Sequence, residues 1–309
     1  LLYLIIGNEL NLPLYGVALP NHFFVRYDSG NDQINIESTE MGASYPDSFY
    51  ENRFDIKFDA KTPFFTQSLN KKKSLGAYLS NVGMVYHKND RPQKSIFYLE
   101  PSTKINPLSI EAHNNLANIY GEIKQHDLSI SQYKKALQAN PNSAPTLFNL
   151  AQTYIELSNT KNAIESLLQV IQVEPSFIQA RRQLVKIYLK KEKLISALLH
   201  LKQLANINAN DINAHISIGK IYNKLGNIKL AIETISPIIL RNPNNIRARE
   251  TLAEIFYKEE KFDDSIAEYR YILEQNSKYL PAYIQLGWVY YRQGKFQMAT
   301  AWTKHGLKL

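Results

Sequence analysis

The sequence predicts a mainly α protein, a right-handed α-solenoid of seven helix-turn-helix units, preceded by a small and incomplete α/β fragment. Three observations carry this expectation. An aromatic residue returns every 34 positions from Tyr86 to Tyr290, and two columns of small residues keep the same interval. Before residue 74 the pattern changes, and short apolar runs broken by turn residues replace the long helical periodicity.

Composition sets the frame. The 309 residues are 44% hydrophobic and 21% charged, ordinary for a chain with a packed core. No stretch comes near the ~20 unbroken apolar residues of a membrane-spanning helix, because the opening LLYLII is stopped at once by Gly7, Asn8 and Glu9. A soluble protein, with the cytoplasm as its compartment, is the expectation. The chain opens on Leu1 and stops at AWTKHGLKL, inside what reads as an unfinished helix, so truncation at both ends is expected and a lost targeting segment remains open. There is no cysteine, which excludes disulfides and thiolate metal sites within these residues. The net charge of +8 is uneven: residues 1–75 hold seven Lys/Arg against nine Asp/Glu, and the rest hold 29 against 19.

In chain order, LLYLIIGNEL reads as the end of an apolar helix. LPLYGVALP, HFFVRYD and QINIEST read as strands, and YPDSFYENRF as a short helix capped by Asp47 or Ser48. With its connector this piece occupies residues 1–73, too few to bury a full core alone. Residues 74–309 form the second domain.

The repeat aligns Tyr86, Tyr120, Tyr154, Tyr188, Tyr222, Phe256 and Tyr290, with units starting near 76, 110, 144, 178, 212, 246 and 280 and the last one incomplete. Three residues before each aromatic stands Gly83, Ala117, Ala151, Val185, Gly219, Ala253 or Gly287. Nine after it stands Ser95, Ser129, Ala163, Ala197, Ala231, Ser265 or Ala299. Small residues at two fixed points let antiparallel helices approach closely while the aromatic fills the groove. Pro107, Pro141, Pro175 and Pro243 mark the end of second helices, and Ser109, Ser143, Asp211 and Asn245 stand where N-caps should open the next first helix. Pro101 and Pro237, inside second helices, predict a kink or early stop.

This pattern resembles the tetratricopeptide repeat over residues 76–309. The resemblance implies a superhelix whose first helices line a concave surface for extended peptides or partner segments. On that surface Asn81, Asn115, Asn149 and Gln183 recur at one repeat position, followed by Ser217, Thr251 and Gln285. The column is similar to the asparagine ladder in the repeats of the O-linked N-acetylglucosamine transferase, where amides hold a peptide backbone; simple exposed polar positions are the alternative. Arg182, Lys186, Lys190, Lys220 and Lys224 form a basic strip that would favour an acidic peptide or a carboxylate terminus, or form a solvated face. Trp288 and Tyr291 offer an anchor, or await a further repeat. The expected partner is a protein or peptide, acidic if the strip is used.

No zinc-finger spacing, aromatic ribonucleoprotein motif, phosphate-cradling glycine loop or HExxH occurs, so no nucleic acid, cofactor or metal is expected. The histidines are scattered singly; His113 and His215 share a repeat position, where packing is the expected role.

The first residues resemble the transglutaminase-like core, in the SirB1-related branch that carries such repeats behind it. The matching features are the helix, LPLYGVALPNHFFVRYD, INIEST and MGASYP. The resemblance implies a cysteine nucleophile at a helix N-terminus, a histidine base and an orienting carboxylate. His22 matches the histidine and Glu37 the usual Asp, one methylene longer. The cysteine would lie just before Leu1. Two functions are therefore expected: an interaction scaffold, or a cysteine-dependent acyl transferase or peptidase-like enzyme whose repeats select a protein substrate.

Overall fold

The computed structural model describes residues 2–19, 22–37, 40, 42–54 and 71–308. The expected connector over 55–70, and Pro20, Asn21, Ser38, Thr39 and Met41 of the quoted motifs, lie outside the described residues. The chain forms two compact units, Leu1–Pro175 and Ser176–Leu309.

The first unit opens with α1 (Leu2–Glu9), β1 (Leu14–Leu19), β2 (His22–Asp28), β3 (Gln33–Ile36) and α2 (Asp47–Phe54), as the alternation suggested. The strands pair antiparallel in the order β1-β2-β3, with Leu19 opposite His22 and Val25 opposite Ile36. Val17, Leu19, Phe24 and Tyr50 make the small core between sheet and α2. Asp47 does not act as the expected helix cap. It is the first helical residue, and its Oδ1 accepts from Arg26 and from Asn35 Nδ2. That partly buried network ties α2 to β2 and β3.

Helix pairs follow at the 34-residue period. The first unit holds α3 (Lys71–Lys88) with α4 (Pro92–Ile105), α5 (Ile110–Glu122) with α6 (His126–Ala139), and α7 (Ala144–Glu156) with α8 (Thr160–Val173). The second holds α9 (Ile178–Lys190) with α10 (Leu194–Ile207), α11 (Ile212–Lys224) with α12 (Ile228–Arg241), α13 (Ile246–Lys258) with α14 (Phe262–Gln275), and α15 (Leu280–Arg292) with α16 (Phe296–Gly306). Both small columns are buried in every pair. A Cβ on Gly83 would stand 2.7 Å from Leu99 Cγ, and one on Gly219 2.6 Å from Ile235 Cδ1, so the helices approach as closely as glycine permits.

Ser109, Asp211 and Asn245 cap as expected, each accepting from the backbone N–H three residues on. Ser143 departs, its hydroxyl meeting that of Thr146. The early stop expected at Pro101 and Pro237 does not occur: α4 and α12 run four residues further. Packing holds the turns on either side, with Leu99 and Ile235 fully buried and Ser102 Oγ donating to the Gly76 carbonyl.

Two regularities have no strong sequence signal. The turn inside every pair contains one left-handed residue, at Asp90, Lys124, Ser158, Glu192, Gly226, Glu260 and Gly294, only two of them glycine. Residues 19 apart also meet between paired helices. His113 bonds Gln132, Arg249 pairs with Glu268, and Tyr283 lies against Trp302.

Candidate functional site

Two places bring the expected site residues together. At the head of β2, His22 sits where the sheet meets α2, and Glu37 follows β3 directly. The strand register delivers both to one end of the sheet, with His22 Nε2 2.7 Å from Glu37 Oε1. Glu37 is 2% exposed and the His22 side chain 21%. Phe54 stacks on the imidazole at 5.1 Å, and Phe24 and Tyr50 flank it at 6.4 and 6.2 Å. Burial raises the phenol pKa of Tyr50, and the neighbouring Glu37 carboxylate raises it further. In a neutral imidazole, a carboxylate on Nε2 selects the tautomer protonated there, with Nδ1 as the acceptor. Sequence reasoning missed Tyr50, Phe54 and the Arg26–Asn35–Asp47 network behind them, because none has a motif; only the folded sheet assembles it.

The second place is the face of the first helices. In the first unit Asn81, Asn115 and Asn149 are partly buried. Asn149 Nδ2 donates to Asn118 Oδ1 at 3.4 Å, and the Tyr133 hydroxyl bonds the same oxygen. Asn114 Nδ2 donates to Thr146 Oγ1. Two amide atoms here, Asn115 Nδ2 and Asn114 Oδ1, are buried without a hydrogen-bond partner among the described residues.

In the second unit Gln183 is partly buried, while the Ser217 and Thr251 hydroxyls turn back to the carbonyls of Asn213 and Arg247 on their own helices. The polar column is therefore not open along its whole length, because short hydroxyl side chains close onto the preceding helical turn. Arg182, Lys186, Lys190, Lys220 and Lys224 are all exposed, but two are engaged: Arg182 with Asp211 at 3.0 Å and Lys220 with Glu254 at 3.9 Å. Trp288 and Tyr291 are 57% and 53% exposed and meet edge to face at 6.1 Å. His113 and His215 serve packing and local bonding. His113 contacts Gln132 and the Pro107 carbonyl, and His215 contacts the Asp211 carbonyl.

Among the described residues no helix is long and apolar enough to cross a membrane, and no group of His, Asp and Glu could hold a metal ion.

Comparison with known families finds tetratricopeptide repeat models on residues 110–143, 132–165 and 212–245, and a transglutaminase-like superfamily model on residues 1–75. No curated protein matches the chain. Solved structures that resemble it include MamA, 24% identical over 55% of this chain and 92% of that one, with a TM-score of 0.48. A tetratricopeptide repeat protein from Parabacteroides merdae is 16% identical over 77% of this chain and 93% of its own, with a TM-score of 0.49. YrrB, described as having an unusual peptide-binding site, is 16% identical over 58% and 91%, with a TM-score of 0.46. The chain is a tetratricopeptide-repeat protein carrying a transglutaminase-like segment at residues 1–75.

Proposed function

We propose that the protein is an interaction scaffold whose first-helix faces hold an extended peptide segment of a partner protein, the repeats of residues 74–309 supplying the surface and residues 1–73 a second contact. On the first unit Asn81, Asn115 and Asn149 meet the peptide backbone; on the second, taken by itself, Gln183 offers the same amide and Arg182, Lys186, Lys190, Lys220, Lys224 and Trp288 offer contacts to side chains. The observation that carries this reading is the unpartnered Asn115 Nδ2. A buried amide donor left unpaired costs about 1–3 kcal/mol, and a peptide carbonyl recovers that cost once the partly buried Asn115 side chain turns outward to meet it. The test is selection of 12-residue peptides from a phage-displayed random library on the intact chain. Asn115→Ala with Asn149→Ala should weaken the selected peptides at least tenfold, and Gln138→Ala on a second helix should not. Selected peptides indifferent to both first-helix changes would refute the reading.

The His22–Glu37 contact favours a second reading, a cysteine-dependent acyl transfer in which His22 Nδ1 takes the thiol proton and Glu37 orients the ring. The thiol would come from outside these residues, which hold no cysteine. In the protein as its cell makes it, iodoacetamide should then alkylate one cysteine at a rate that falls tenfold in His22→Ala. An unchanged rate removes the second reading and leaves the first standing.

A further inference from the structure

The cationic excess is confined to one compact unit. Residues 176–309 carry 21 Lys/Arg against 11 Asp/Glu, and residues 1–175 carry 15 against 17. Part of it is arranged. The last residue of each first helix in this unit is Lys190, Lys224, Lys258 or Arg292, one cation per repeat and every one exposed. A cation there suits the helix dipole, but the dipole does not dictate the column, since α5 and α7 end on Glu122 and Glu156 at the same repeat position.

Lys190, Lys224 and the neighbouring Lys186 make no ion pair among the described residues. Lys258 Nζ donates to the Asn223 carbonyl, and Arg292 lies 3.6 Å from Glu260 with its guanidinium over Tyr257. Of the acids nearby, Glu254 is engaged by Lys220 and Glu260 by Arg292, and Glu192 and Glu259 are exposed beside Lys190 and Lys258 in the chain.

The column runs into an aromatic platform. On α15, Ile284, Trp288 and Tyr291 are spaced four and three apart, which places them on one face, and all three are exposed. Tyr291 also meets exposed Phe296 edge to face at 5.4 Å. Trp288 holds the repeat position that Lys186 and Lys220 hold three and two repeats earlier, with Glu254 at that position in the repeat between.

We propose that residues 176–309 bind one extended acidic peptide, its carboxylates along Lys190, Lys224, Lys258 and Arg292 and one aromatic or large aliphatic side chain seated on Trp288 and Tyr291. This rests on the scaffold reading and gives it a ligand chemistry. α11 and α13 pack directly on each other, packed helices lie about 10 Å apart and an extended chain advances about 3.3 Å per residue, so acidic residues three apart match the step from Lys224 to Lys258. The charges set sign and encounter rate, and the aromatic seat holds the complex once formed.

The test is fluorescence anisotropy on the intact chain. The probe is a labelled 13-residue peptide with Glu at every third position and a terminal Phe, compared with its Gln and Phe-to-Ser counterparts, heparin and a single-stranded RNA oligonucleotide. The Glu probe should bind at least tenfold tighter than the Gln peptide and weaken with salt. Lys190→Glu with Lys224→Glu should cost at least tenfold, and Trp288→Ala at least fivefold with Trp288→Phe recovering most of it. These side chains are exposed, and unchanged far-ultraviolet circular dichroism excludes misfolding as the cause. Equal affinity for the Gln peptide would overturn the proposal. So would heparin or RNA binding more tightly than the Glu probe together with indifference to Trp288→Ala, which would make the face a general polyanion surface. If library peptides still depend on Asn115 while the Glu probe fails, this inference alone is lost; if neither binds, the scaffold reading falls too.

Discussion

Gly219→Ala sets two effects of similar size against each other. Alanine in a helix interior is favoured over glycine by about 1 kcal/mol. The added methyl, however, would stand 2.6 Å from Ile235 Cδ1 and 2.7 Å from Cγ1, and Ile235 is fully buried. Overpacking of this kind costs about 1–3 kcal/mol, and a β-branched side chain held at χ1 has little freedom to retreat. The expected balance is a net loss of about 1 kcal/mol, which for a unit of this size lowers the midpoint of thermal unfolding by about 3–4 °C.

The rescue is specified by another repeat. Ala151 and Leu167 occupy the same two positions in α7 and α8, both fully buried, so Gly219→Ala combined with Ile235→Leu should recover wild-type stability. Thermal and urea unfolding of the intact chain, followed by the fluorescence of Trp288 and Trp302, both in this unit, measures the cycle. If Gly219→Ala alone stabilises by the full helix increment, or Ile235→Leu fails to rescue it, the account of the small column is wrong.

Ser158 holds a left-handed backbone at φ 56° and is exposed, so Ser158→Gly should raise the unfolding midpoint, the relief of about 1–2 kcal/mol exceeding the added freedom of the unfolded chain. The His200 imidazole is stacked on Tyr188 at 5.7 Å with its Nδ1 buried and unpartnered, and burial, then the Arg181 charge, lower its pKa. The unfolded chain therefore takes up this proton first as pH falls below about 6.5, and stability drops with acidification; His200→Gln should flatten the difference in urea midpoint between pH 7.5 and 5.5. Arg249 is held between Glu268 and the Tyr271 ring, 3.5 Å from the ring centroid. Glu268→Ala should cost about 2–3 kcal/mol, and Arg249→Met with Glu268→Leu distinctly less by the same denaturation assay.

The repeat was legible because close packing between helices writes itself at fixed intervals: Gly83, Ala117 and Ala151 and the aromatics three residues on can be read without coordinates. The left-handed turn residue was not legible, since Asp90, Lys124, Ser158, Glu192 and Glu260 carry no side-chain signature of the conformation the turn imposes on them. Of the kink or early stop expected at Pro101 and Pro237, the stop does not occur, because tertiary packing holds the turns beyond each proline. At the sheet, His22 and Glu37 were visible by resemblance, whereas Tyr50 and Phe54 come from α2, whose placement depends on the Arg26–Asn35–Asp47 network. On the groove face the polar column was legible as residue types. Which members find partners was not, because Ser217 and Thr251 bond back to their own helices while Asn115 Nδ2 is buried without a partner among the described residues.

The central claim is that a peptide lies on the first-helix faces and meets the asparagine amides of the column. Asparagine-selective ¹⁵N labelling of the intact chain reads it directly through the side-chain NH₂ resonances during titration with a library-selected peptide. The Asn115 resonance, assigned by its loss in Asn115→Ala, should shift in proportion to saturation, while that of Asn142, in the turn after a second helix, stays fixed. A saturated complex in which Asn81, Asn115 and Asn149 all keep their free-state shifts would contradict the account.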